Sequence, residues 1–250
     1  MKRFILKNDR QEPQKPVSYK LDYDSLLNES QKKAVFHDNG PALVIAGAGS
    51  GKTRTLVYRV ARLVEAGVNP ANILLLTFTR RAAREMLIKA ANVLDERCRA
   101  VKGGTFHFYC SQLLHQYADQ LGYPQNFTIM DTADAMEVLQ ILRATSQSSR
   151  KKRRFPQKQT LYGIISKSAN KQISITETVD RYFSQFSNEA AAIEDLAKEY
   201  KAYKKRHGVM DFDDLLLETR NLMQSNEQLA AGITKQHRYV MVDEYQDTNR

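Results

Sequence analysis

The stretch ALVIAGAGSGKTRTLV, Ala42 to Val57, runs from apolar residues through Gly47, Gly49 and Gly51 into an amphipathic pattern headed by Lys52 and Thr53. The apolar run suits a strand buried on both faces of a parallel sheet. Beyond the glycines, Leu56, Val57, Val60, Leu63 and Val64 recur on one helical face, with Gly67 as a C-cap. Glycines between two such elements let backbone N–H groups approach an anion, and the helix N-terminus adds positive potential. The spacing of AGAGSGKT is that of a P-loop. Ala46, Gly47, Ala48, Gly49, Ser50 and Gly51 would wrap a β-phosphate, Lys52 would reach the β and γ oxygens, and Thr53 would hold Mg²⁺. A strict P-loop opens on glycine; Ala46 stands there, which a turn residue without a positive φ accepts. ATP and Mg²⁺ are the expected cofactors.

Working outward, ILLLTF at 73–78 and YVMVDE at 239–244 are further strand-like runs. Strand, helix and strand from 42 to 78 make a βαβ unit of ordinary size. The last run ends on Asp243 and Glu244, where a second strand of a P-loop enzyme carries its carboxylates. Asp243 would bind Mg²⁺ through its hydration shell, and Glu244 would orient and deprotonate the attacking water. On its own an Asp-Glu pair is more often a solvated acidic turn; the P-loop and the apolar run before it favour the catalytic reading.

The middle of the chain has helical periodicity and little strand signal. Leu113, Leu114, Tyr117 and Leu121, then Ala135, Val138, Leu139 and Leu142, then Ile193, Leu196, Tyr200 and Tyr203 mark successive apolar faces. The expected division is a loosely held leader at 1–24, an α/β core at 25–108 and 211–250, and a helical insertion at 109–210. The basic run RKKRRFPQK at 150–158 reads as an exposed loop within the insertion.

The 250 residues carry 38 Lys and Arg against 28 Asp and Glu, a formal charge of +10 that favours a polyanionic partner. No apolar run approaches the roughly 18 residues of a membrane span, and no signal-peptide stretch opens the chain. Cys98 and Cys110 are too few for a disulfide framework and suit a reducing compartment, the cytoplasm. His107 has no Cys, His or carboxylate neighbour at metal-ligand spacing.

Six stretches, LNESQKKAV (27–35), AGAGSGKTRTLV (46–57), LLLTFTRRAAREM (74–86), GTFHFYC (104–110), DFDDLL (211–216) and VDEYQDTN (242–249), occur in the order found in UvrD/Rep/PcrA-like superfamily 1 helicases. The chain resembles the N-terminal part of that family over about residues 25–249. The resemblance implies a RecA-like parallel sheet flanked by helices, with an inserted all-helical subdomain. It implies that Gln31 reads the adenine edge and that Arg54 lies against the adenine ring. Thr77, Phe78, Thr79, Thr105, Phe106 and His107 match the family's contacts to single-stranded DNA. Hydroxyls and imidazole donate to phosphates, and an exposed Phe can stack on a base; the plain alternative is that Phe78 and Phe106 are core. Gln246 matches the residue linking nucleotide state to DNA. One departure is Arg80 and Arg81, where many relatives carry Asn and then a basic residue.

The family couples ATP hydrolysis to 3′ to 5′ movement on single-stranded and forked DNA in repair or replication, in a bacterial-type cytoplasm at the nucleoid. The resemblance puts a second motor domain, with the arginines that close over the γ-phosphate, beyond Arg250. Arginine fingers contribute about 10³ to 10⁵ in rate, so these residues alone are expected to bind nucleotide without unwinding. Two alternatives remain open: the motor portion of a recombination helicase-nuclease, and a non-catalytic ATP-gated DNA-binding module. A P-loop kinase or transporter ATPase does not account for Gln31 or for GTFH at 104–107.

Overall fold

The computed structural model describes residues 19–38, 40–145 and 155–248. The leader through residue 18 and the basic residues 150–154 lie outside the described residues. Short helices α1 (Tyr23–Leu26) and α2 (Glu29–Val35) precede the nucleotide loop, and α3 (Lys52–Glu65) follows it. Asn28 and Gln31 form a reciprocal capping box on α2.

Tyr19 and Tyr23, assigned by sequence to the leader, are packed against the core. Tyr23 is buried, and its ring meets Phe36 edge-on at 5.3 Å and Tyr19 at 5.5 Å. At the end of α3, the Glu65 carboxylate accepts the Tyr23 hydroxyl at 2.7 Å and the Leu21 N–H at 3.2 Å. Arg62 on the same helix stacks over Phe36 and grips Asp38 through both nitrogens. The polar composition of residues 1–24 concealed two of these aromatic anchors, Tyr19 and Tyr23.

Beyond α3 the chain forms β1 (Ile73–Leu76), α4 (Arg80–Val93), β2 (Lys102–Gly104) and α5 (Phe106–Tyr117). The middle region holds β3 (Thr128–Ile129), α6 (Thr132–Thr145), α7 (Lys158–Lys171), α8 (Ile175–Tyr182), α9 (Ala190–His207) and β4 (Val209–Met210). Then come α10 (Phe212–Ser225), α11 (Glu227–Gln236) and β5 (Tyr239–Val242). The architecture is α/β, a parallel sheet in the order β2-β1-β5 with helices packed on it. In register, Leu76 pairs with Gly104 on one side and with Val242 on the other. Val57, Val60, Leu63 and Val64 of α3 share a core with Ile73, Leu75, Met86 and Met241.

The run ALVIAG does not join this sheet. Residues 41–47 carry no strand, Leu43 is 71% and Ile45 89% exposed, and β5 stands at the sheet's edge among the described residues. Apolarity marks a segment that can form a strand; which neighbour it pairs with depends on tertiary contacts that the run does not encode.

The middle region has its own core of Leu139, Leu161, Ile164, Ile193 and Leu196. A two-residue parallel pairing of β3 with β4 closes its base, too short to register as a strand pattern in the sequence. Within the basic run, Phe155 and Pro156 are buried rather than exposed. The boundary expected after residue 108 falls inside α5, which shares a third core with α10 through Cys110, Leu114, Leu215 and Leu222. That packing places the first turns of α10 beside the ends of β1 and β2.

Candidate functional site

The nucleotide loop is built on two left-handed glycines, Gly49 at φ 74° and Gly51 at φ 87°, the second serving as N-cap of α3. The left-handed backbone at Gly51 favours glycine, and a Cβ there, 2.8 Å from Gln31 Nε2, would push the Gln31 amide aside. Gln31 Nε2 donates to Ser50 O at 3.2 Å, while its Oε1 accepts the Asn28 N–H; one side chain thus caps α2 and touches the loop. Ser50 Oγ donates to Gly47 O at 2.7 Å. Lys52 Nζ donates to Ala46 O at 3.1 Å and to Gly47 O at 3.2 Å. The ammonium rests on carbonyls it can exchange for phosphate oxygens. Ala48 and Thr53 are exposed at the mouth. Arg54 donates to Leu26 O at 2.9 Å, with its guanidinium 5.2 Å from the centroid of Tyr58.

Backbone N–H groups at a helix N-terminus, an ammonium and an exposed hydroxyl make a donor set suited to a magnesium-bound polyphosphate. No group of three or more His, Cys, Asp and Glu able to hold a metal occurs among the described residues.

The parallel pairing of β5 with β1 delivers the carboxylates. Asp243 N–H donates to Leu76 O at 2.9 Å, extending the ladder one residue past β5. Burial and the neighbouring Glu244 charge push the Asp243 carboxyl up, and Lys52 opposes the shift, so the ammonium lies within the carboxylate's field. Glu244 is held at φ 53°, left-handed and exposed, and its carboxylate accepts Gln246 Nε2. Gln246 is thereby tied to the second carboxylate.

The polar residues after β1 and β2 divide into two roles. Thr79 Oγ1 accepts the Ala82 N–H and caps α4; Thr105 Oγ1 accepts the Phe108 N–H and caps α5. Both helix N-termini therefore open at the carboxyl end of the sheet, the end where parallel α/β sheets hold ligands. Thr77 is only 2% exposed, and its hydroxyl donates to Thr79 O at 2.7 Å, bracing the turn. Phe78 is 72% exposed, against the core alternative, and Phe106 is half-buried. Arg80 lies 4.4 Å from the Phe108 centroid.

A cavity of about 390 Å³ opens here, lined on one wall by Thr77, Phe78, Thr105, Phe106 and His107 and at its end by Asp243 and Glu244. Burial holds the His107 imidazole below its usual range, with the Asp213 charge opposing. The facing wall comes from Asn170 near the end of α7 and from Asp213, Leu216, Leu217 and Arg220 of α10. Sequence reasoning saw DFDDLL only as part of a pattern and assigned none of these residues. Phe212, exposed at the first position of α10 and 6.0 Å edge-on to His107, was the available signal. Nucleotide loop, carboxylates and aromatic cavity follow one another along the same end of the sheet.

A family model described as the UvrD/REP helicase N-terminal domain matches residues 27–250. A relative from Staphylococcus epidermidis bearing the name ATP-dependent DNA helicase PcrA is 35% identical over 226 residues, 90% of this chain and 30% of that protein. One of the same name from Staphylococcus aureus is 34% identical over 229 residues, again 90% and 30%. The chain thus spans about 30% of the length of the curated relatives it matches.

Proposed function

Because the chain belongs to the UvrD/REP helicase N-terminal domain family, we propose that it is the ATP-binding and strand-gripping part of an ATP-dependent DNA helicase, with a RecA-like core. The observation that carries this is the single cavity lined both by Asp243 and Glu244 and by Phe78, Phe106 and His107. Carboxylates for hydrolysis and surfaces for a polynucleotide line one cavity.

In this reading Ala46 to Thr53 hold the triphosphate, with Lys52 leaving the carbonyls of Ala46 and Gly47 for phosphate oxygens. Gln31 and Arg54 take the adenine. Thr53 would hold Mg²⁺ directly and Asp243 through its hydration shell, and the ion would screen the phosphate charge. Glu244 Oε accepts the proton of the attacking water, and Gln246, already on that carboxylate, senses whether it is engaged. Phe78 and Phe106 stack on bases, and His107 donates to the strand as a neutral imidazole. The N-termini of α4 and α5 attract its phosphates. Thr79 and Thr105 act through the helices they cap, and Thr77 by bracing the turn.

The whole-protein activity proposed is 3′ to 5′ movement on single-stranded DNA with unwinding of forked duplex in repair or replication, in the bacterial cytoplasm. It requires a second motor domain, whose arginines close the nucleotide site; these 250 residues would then turn ATP over weakly. No helix of the described residues is long and apolar enough to cross a membrane. ATP turnover with and without single-stranded DNA, alongside binding of a fluorescent nucleotide and a Glu244→Gln control, tests the reading. Binding of Mg-ATP with slow turnover supports it. Nucleotide-dependent DNA affinity with no turnover at all would favour an ATP-gated binding module, and indifference of nucleotide to DNA in every respect would refute the shared site.

A further inference from the structure

A buried ion cluster at the exit of the helical region has no part in the function above. Lys204, on the last turn of α9, is buried, and its Nζ lies 2.7 Å from Asp211 Oδ2 and 2.6 Å from Asp214 Oδ2. Tyr200, one turn earlier, donates its hydroxyl to the same Asp211 oxygen at 2.9 Å. The two carboxylates are also the capping box of α10. Asp214 N–H donates to Asp211 Oδ1 at 2.9 Å, and Asp211 N–H donates to Asp214 Oδ2 at 3.0 Å.

A capping box is complete without a lysine. A cation beside a helix N-terminus opposes the helix dipole, so Lys204 does not serve α10 as an isolated helix. Its effect is to bind the start of α10 to the end of α9. The first turns of α10 also carry Asp213, Leu216, Leu217 and Arg220, the facing wall of the cavity. Asn170 of α7 donates to Asp213 Oδ1 at 3.0 Å, holding that wall from the other side.

We propose that Lys204 is a positioning residue: by clamping the α10 capping box to α9, it fixes the wall of Asp213, Leu216 and Arg220 opposite Thr105, Phe106 and His107, and so sets the opening of the cavity that receives the strand. This rests on the strand-binding reading above. Burial pulls the Lys204 ammonium down, and the charges of Asp214 and Asp211 more than reverse that, so the clamp is ionic at neutral pH.

Lys204→Met removes the ammonium while keeping an unbranched apolar stem. The measurements are the affinity for a fluorescent dT oligonucleotide, the affinity for a fluorescent ADP analogue, and amide exchange over residues 212–217. The expected result is oligonucleotide binding weakened about tenfold, nucleotide binding unchanged, and faster exchange over 212–217. Leu161→Ala, in the separate core of the helical region, serves as a destabilised control and keeps the wild-type oligonucleotide affinity. Should Lys204→Met not fold, Lys204→Met combined with Asp214→Asn leaves a single buried carboxylate and is expected to show the same loss. Wild-type oligonucleotide affinity and wild-type exchange in the folded variant would overturn the proposal. Failure of the unmodified chain to hold the oligonucleotide would instead refute the strand-binding reading, and exchange over 212–217 would still decide whether Lys204 fixes the wall.

Discussion

Alanine at Gly51 will damage the nucleotide loop more than alanine at Gly67, although both glycines stand at φ 87°. A left-handed alanine costs about 1–2 kcal/mol at either position. At Gly67 an added Cβ meets nothing within 4 Å, so backbone strain is the whole cost. At Gly51 the same atom comes within 2.8 Å of Gln31 Nε2. Gln31 must then withdraw from Ser50 O, losing a hydrogen bond worth about 0.5–1.5 kcal/mol net. The sum at Gly51 is about 1.5–3.5 kcal/mol, against about 1–2 kcal/mol at Gly67. The two costs also appear in different observables. Gly67 ends α3 far from the loop, and its strain lowers only the urea midpoint. Gly51 begins α3, and relieving its strain turns the backbone N–H groups away from their common centre. A fluorescent ADP analogue will therefore bind Gly51→Ala roughly 10- to 300-fold more weakly than wild type, the equivalent of that sum. Gly67→Ala will bind within about twofold of wild type. Equal affinities in the two variants would refute the reasoning, because they would show that Gln31 and the left-handed turn contribute nothing to the loop's shape.

Three further outcomes follow from particular contacts. Phe78→Ala removes an exposed ring from the cavity wall and will weaken a dT oligonucleotide by about 1–3 kcal/mol, with nucleotide affinity unchanged in the same titration format. Leu161→Ala empties a fully buried site in the helical region and will cost about 2–5 kcal/mol in urea unfolding; a loss under about 1 kcal/mol would mean that this core collapses around the gap. Burial, opposed by Lys204 and aided by the Asp211 charge, pushes Asp214 up to about 6, against about 3.9 in the unfolded chain. A carboxyl raised on folding takes its proton first in the native state, so its contribution to stability grows as pH falls from about 6 to about 4 and is a cost above 6. In Asp211, burial is outweighed by Lys204, and the group titrates below that window. Asp214→Asn will therefore flatten the urea midpoint between pH 4 and 6, removing a slope of about 3 kcal/mol across the window; an unaltered slope would place that titration elsewhere.

The nucleotide loop, β1, β5 and the helical middle were legible because each is a local pattern: glycine spacing, a short apolar run, a 3.6-residue period. Asp243 was legible for the same reason, since it directly follows an apolar run. What the sequence concealed is relational. Residues 42–47 have the composition of a buried strand but pair with no described residue, because composition does not name a partner. Thr79 and Thr105 match a nucleic-acid pattern, yet their hydroxyls cap α4 and α5; a threonine before a helix supports both readings until its Oγ1 is located. The wall formed by α10 was invisible because it depends on α5 and α10 sharing a core between residues more than a hundred positions apart. Lys204 stood in a run of four basic residues at a helix end, where a solvated cation is the ordinary expectation; only its burial sets it apart.

The exposed run at 43–45 bears on how this protein behaves in concentrated solution. Leu43, Val44 and Ile45 present a contiguous β-prone apolar segment, and Val240 is 54% exposed on β5, at the sheet's edge among the described residues. An uncovered strand edge and an exposed apolar segment are each templates for pairing between chains. Light scattering of purified stocks will show self-association as concentration rises, and the +10 charge will delay this only at low salt, since screening shortens its reach. A lysine at residue 43 or 45 would act as a gatekeeper against such aggregation without entering the buried core.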